Sequence, residues 1–244
     1  MPIRIQPVLA DAWALFLRDR DWLLGLAGAF LFLPFFALAL LVPPWPVAPG
    51  PDEGGREQRM LAWADGFAAW AGDHGGWYLV AYAVAALGTA AIYAGYLDGR
   101  SGDVRGALTR AARLLPRYLL AMLLVAIPTG AGLFLWLLPG LYIMGRTMMT
   151  GPALLAERPL GAATAVARSF SLTSGAGLPL MALASLTLLG GALLSQPFAA
   201  IEAAAGGNAI ASALAAAGSA GVLMTTSLAQ ALIAVSAYRR LAAR

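Results

Sequence analysis

Apolar residues do not alternate with polar ones along most of this chain; they run on unbroken. Trp22–Val42 contains no charged residue. A helix rises about 1.5 Å per residue, so a run of that length matches the roughly 30 Å hydrocarbon core of a bilayer. Comparable runs recur at Trp77–Leu97, Tyr118–Leu138, Leu141–Ala156, Leu178–Phe198 and about Ala209–Ala237. The pattern predicts an all-α integral membrane protein: one domain over residues 1–244, a bundle of six transmembrane helices.

The segments between the runs differ in kind. In Met1–Asp21, Val8, Leu9, Ala12, Trp13, Phe16 and Leu17 recur at three- and four-residue intervals, which predicts an amphipathic helix. Pro43-Pro44-Trp45-Pro46 stops the first span, because proline cannot continue a helix. Met60–Trp70 predicts a short helix lying on the membrane surface or packed against the bundle, and His74 falls in a glycine-flanked loop. In Asp98–Arg117, arginines mix with Leu108, Ala111, Ala112 and Leu115 as a second amphipathic helix. Pro139-Gly140 marks the turn between the third and fourth spans. Asp11–Arg18, Arg105–Arg113 and Ala162–Phe170 each precede a span, so the chain reads as three units of interfacial helix followed by transmembrane hairpin. Ala37-Leu38-Ala39 resembles a signal-cleavage site, but the apolar run is too long for a signal core, and Trp22–Val42 reads as a retained first span.

Composition agrees with this picture. Hydrophobic residues make up 60% of the chain and charged ones 11%, against roughly a quarter charged in soluble domains. Every basic residue is arginine. With the N-terminus inside and six crossings, the inner segments own Arg4, Arg18, Arg20, Arg100, Arg105, Arg110, Arg113, Arg117, Arg158, Arg168, Arg239, Arg240 and Arg244. The outer ones own only Arg56 and Arg59. The positive-inside rule accounts for this asymmetry, places both termini in the cytoplasm and removes any need for nucleic acid as a partner. There is no cysteine and one histidine, so disulfides are excluded and no metal or cofactor site is expected.

The stretch Leu137-Leu138-Pro139-Gly140-Leu141-Tyr142, then Arg146, Gly151-Pro152-Ala153 and Ala165-Val166-Ala167-Arg168-Ser169-Phe170-Ser171-Leu172-Thr173-Ser174-Gly175, has a recognisable order. So does Asp11-Ala12-Trp13-Ala14-Leu15-Phe16. These residues resemble bacterial six-span inner-membrane proteins of the YciC-like group and the membrane domain fused to some glycerophosphoryl diester phosphodiesterases. The resemblance implies an inner-membrane bundle acting in envelope or membrane-lipid homeostasis, and it implies no catalytic residue.

Chemistry is sparse. Arg146 is the one charge well inside a span, roughly 9 Å along the helix from the outer end as counted from Pro139-Gly140. It reads as a lipid-phosphate or anion site, as a structural ion pair with Glu202, or as a snorkelling side chain. Arg168 with Ser169, Ser171, Thr173 and Ser174 suits an anion site or a helix terminus. Arg105, Arg110 and Arg113 suit anionic headgroups or topology signalling alone. Gly25, Ala29 and Ala213–Gly221 read as small-residue packing faces. The expected function is a non-enzymatic membrane protein that interacts with lipid, anionic phospholipid included, or scaffolds. The alternative is a small transporter or channel component with a site near Arg146. Protein partners and a homo-oligomer stay open. An intramembrane enzyme ranks last, because no nucleophile with a base and no paired carboxylates share a span.

Overall fold

The structure is a computed structural model that describes residues 3–44, 46, 55–97, 103–157 and 160–243. Regular structure among these residues is entirely helical. In chain order the elements are α1 (Ile5–Ala27), a π-helical turn (Gly28–Phe32), α2 (Leu33–Leu41), α3 (Arg56–Leu97), α4 (Val104–Leu135), α5 (Leu137–Thr147), α6 (Thr150–Ala156), α7 (Ala162–Leu172), α8 (Gly177–Ala204) and α9 (Ala209–Ala242). Arg100, Arg158 and Arg244, together with Asp52, Glu53, Asp98 and Trp45, lie outside the described residues.

Five helical stretches are long and apolar enough to cross a membrane: Ile5–Leu41, Glu57–Leu97, Val104–Leu135, Gly177–Ala204 and Ala209–Ala242. The fourth expected span, Leu141–Ala156, is not among them. It is divided between α5 and α6 by a break at Met148-Met149. The pair nonetheless runs antiparallel beside α4. The backbone of Gly140 sits against Gly132 at one end of α4, and Gly151 sits against Tyr118 near its middle. Asp11 of α1 pairs with Arg240 of α9 at 2.6 Å, so α1 begins where α9 ends.

Several local expectations change. The turn after α4 is made by Trp136, which is extended (φ −157°, ψ 130°). Pro139 and Gly140 instead lie in the first turn of α5, where a missing N–H costs little. The basic segment Arg105–Arg117 and the span that follows are one helix, α4, capped by Asp103, whose Oδ1 accepts from Gly106 N–H at 2.9 Å. Its Ala107, Ala111 and Tyr118 are buried against the bundle. The N-terminal amphipathic segment is likewise continuous with the first span, apart from a kink at Asp19. Of the three segments expected as interfacial helices, α7 alone is a separate helix.

The Met60–Trp70 segment is not a separate surface helix, and His74 is not in a loop. Both belong to α3, 42 residues long, or about 63 Å. Trp63, Phe67, Trp70 and His74 stack along one face at ring separations of 5.6, 5.9 and 5.8 Å. That stripe has a partner in the proline segment after α2. Trp70 Nε1 donates to Pro43 O at 3.1 Å and Trp63 Nε1 to Pro46 O at 3.0 Å.

At the arginine-rich end the helices are tied by polar contacts. The Asp11 carboxylate accepts from Arg240 and Ser236. Tyr96 O–H donates to Asp19 at 2.9 Å, and Arg239 donates to the Tyr96 carbonyl at 2.7 Å, satisfying one of the orphan carbonyls that end α3. The apolar core sits just inside this layer, with Leu23, Ile92, Leu154, Leu180 and Val235 fully buried. Toward the opposite end α8 and α9 close around Gly218, whose bare backbone takes the ring of Phe198. The other expected small-residue face does not pack: nothing stands within 4 Å of a Cβ on Gly25.

Candidate functional site

A groove between α2 and α3 has a volume of about 630 Å³. A local feature of α2 and two tertiary contacts shape it. Pro34 has no N–H to bond the Phe30 carbonyl four residues back, and its ring crowds that carbonyl. The helix responds by widening: Leu33 N–H bonds Gly28 O, five residues back, across the π turn. Below the turn the rod touches α3 closely, because Gly88 offers no side chain to Phe30. Beyond it Phe35 meets Tyr82 edge-on at 5.1 Å. At the far end the Trp70–Pro43 hydrogen bond brings the chain back to α3. The gap therefore begins at Phe30–Gly88 and extends to the Trp70–Pro43 hydrogen bond.

Leu33, Ala37, Leu38 and Leu41 form one wall, and Trp77, Val80, Ala81 and Val84 the other. Asp73 and His74 line the mouth. From Val84 to Asp73 is about 16 Å along the helix, the depth of one leaflet of a 30 Å hydrocarbon core. Trp77 sits between them, 62% exposed, at the level where indoles favour an interface. His74 Nδ1 lies 3.2 Å from the Trp70 carbonyl, which can only accept. Nδ1 therefore donates, and Nε2 is an acceptor whenever the ring is neutral. Asp73 is exposed and has no hydrogen-bond or ion-pair partner among the described residues.

The residues singled out from sequence lie elsewhere. Arg146 is at the arginine-rich end, not near the opposite surface. It is half-buried in the last turn of α5, beside the start of α8 at Gly177. Its guanidinium donates to Phe170 O at 2.8 Å and lies 5.3 Å from the Phe170 ring. In return its carbonyl accepts from Ser169 Oγ at 2.7 Å and Thr173 Oγ1 at 3.2 Å. Each helix thus supplies the other's terminal carbonyls with donors, a mutual cap between α5 and α7. Arg146 Nε is buried without a partner among the described residues.

Glu202 is not the partner of Arg146. It accepts from Ser212 Oγ at 3.1 Å near the far end of α8, about 37 Å along that helix from Gly177. Arg168 donates to Glu157 Oε2 at 2.7 Å, and Tyr238 O–H donates to Oε1 of the same carboxylate at 2.9 Å. The carboxylate holds the Arg168 guanidinium above its ordinary pKa. The hydroxyl cluster is partly spent on the α5–α7 cap. Arg105 and Arg113 are exposed on the face of α4 opposite Ala107 and Ala111, and Arg110 is half-buried.

The sequence reading missed the groove. Its one local signal was Pro34 inside an uncharged run; Asp73-His74, read as solvated loop residues, gave no sign of facing α2. Among the described residues no three His, Cys, Asp or Glu side chains group to hold a metal. No protein-family model, no curated protein and no solved structure matches the chain.

Proposed function

We propose that this chain is a non-enzymatic protein of a bacterial inner membrane that holds a lipid chain in the α2–α3 groove, in the service of membrane-lipid homeostasis. The observation that carries the reading is the groove: apolar walls one leaflet deep beneath a polar, tryptophan-flanked mouth. Sites that enclose small ligands share this design, with roughly 300–1,000 Å³ of mostly apolar space and a few polar groups that fix orientation. In this reading the α5–α6 pair is a broken fourth crossing of six, and the positive-inside rule, applied to the arginine-rich end, supports cytoplasmic termini. The groove then opens into the outer leaflet. The resemblance to YciC-like six-span proteins points the same way.

A transport site at Arg146 has less support. Its guanidinium and carbonyl are committed to the α5–α7 cap, which gives the residue a structural task.

The reading is tested by native mass spectrometry of protein extracted with its lipids, comparing wild type with Val84→Trp, which fills the groove floor. Wild type should retain phospholipid, and the variant should lose at least about half of it at unchanged thermal stability, as expected when bulk occupies a site of limited volume. Equal lipid content in the two would overturn the reading.

A further inference from the structure

We infer that the mouth of the α2–α3 groove selects a lipid whose headgroup carries a primary ammonium, an aminophospholipid of the ethanolamine type. The inference rests on the groove being a lipid site and adds the headgroup chemistry. Two residues able to accept, adjacent in sequence, line this part of the groove. Asp73 is an exposed carboxylate with no described partner, and His74, with Nδ1 donating to Trp70 O, offers Nε2 as an acceptor. An ammonium with three N–H donors complements that pair; a headgroup without donors does not. Trp77 supplies an indole N–H at the same level, suited to a phosphate or ester oxygen.

The surrounding charge agrees. Among the described residues, the end of the bundle that holds the mouth carries Glu57, Asp65, Asp73 and Glu202 against Arg56 and Arg59, four acids to two bases. An anionic headgroup would meet like charge there, and a zwitterion presenting its ammonium would not. The same groove with an arginine at its mouth would favour the opposite class, so the charge sign at this mouth decides among lipids that share identical tails.

The test places the full-length protein in vesicles holding equal amounts of phosphatidylethanolamine, phosphatidylcholine and phosphatidylglycerol with the same acyl chains. Bound lipid is then counted by native mass spectrometry. Wild type should favour phosphatidylethanolamine over phosphatidylcholine by about tenfold, the size expected of one charge-assisted hydrogen bond. Asp73→Asn should bring that ratio down by at least about threefold, and adding His74→Phe should bring it near one. Both positions are at the mouth, outside the packed core, so the variants fold. A wild-type ratio near one, or a ratio that Asp73→Asn leaves unchanged, overturns the headgroup assignment. If Val84→Trp still lowers total lipid, that failure leaves the groove standing as a lipid site; if it does not, the broader reading fails instead.

Discussion

Phe30 presses its Cβ against the bare backbone of Gly88, and this contact fixes the base of the groove between α2 and α3. A side chain at position 88 would have to displace backbone-proximal atoms of Phe30, which cannot swing away as the end of a flexible chain can. Gly88→Val is expected to lower stability by about 1–3 kcal/mol through overpacking, and Gly88→Ala by less. Thermal unfolding of the purified protein in lipid nanodiscs checks both. A Gly88→Val protein as stable as wild type would show that the two helices do not meet here.

Arg146 offers a sharper test of the inter-helix cap. Arg146→Leu removes a charge-assisted bond to Phe170 O and should cost about 1–3 kcal/mol. Ser169→Ala acts on the same junction, so the double variant should fall short of the sum of the two. Glu202→Leu, far along α8, should add to Arg146→Leu within about 0.5 kcal/mol. Recovery of stability by Glu202→Leu would instead restore the ion pair that the structure separates.

The exposed arginines of α4 should act at a distance from the groove. Replacing Arg105, Arg113 and Arg117 by Gln is expected to reduce binding to anionic vesicles by about 1 kcal/mol per arginine. Their apolar neighbours Ala107 and Ala111 are buried in the bundle, so insertion and folding should be unaffected. Flotation of the variants with phosphatidylglycerol vesicles at low and high salt measures the effect. Equal flotation would leave these arginines a topological role alone.

The six-pass reading with the arginine-rich end inside makes a sidedness prediction. Single cysteines at Gly55 and Gly207, at the end away from the arginines, should react with an impermeant thiol reagent in intact cells. A cysteine at Gly161 should react after lysis alone. The chain contains no cysteine of its own to confuse the result. Labelling of position 161 in intact cells would reverse the orientation.

Uncharged runs such as Trp22–Val42 determined by themselves that the chain is a helical membrane protein, because a backbone in hydrocarbon must satisfy its hydrogen bonds within its own segment. The same periodicity located part of the buried faces: Val8 and Ala12 of α1 and Ala107 and Ala111 of α4 are buried, whereas Trp13, Leu17 and Ala112 of the same sets are exposed. Local rules failed where a distant partner changed the outcome. Gly72, Gly75 and Gly76 read as breakers around His74. Yet α3 runs through them, because the aromatic stripe from Trp63 to His74 gains stacking and the proline carbonyls as partners. Pro139-Gly140 read as a turn, but a proline in a helix's first turn gives up no bond, and the glycine was needed for close approach to α4. Glu202 was one expected partner of Arg146, because a buried charge wants an opposite one. Only the folding of α7 back onto α5 offered it carbonyls instead. The groove was beyond sequence altogether: its walls are ordinary span residues, and what makes them a site is the gap left where a π turn at Pro34 and a close contact at Gly88 set two helices at different distances along their length.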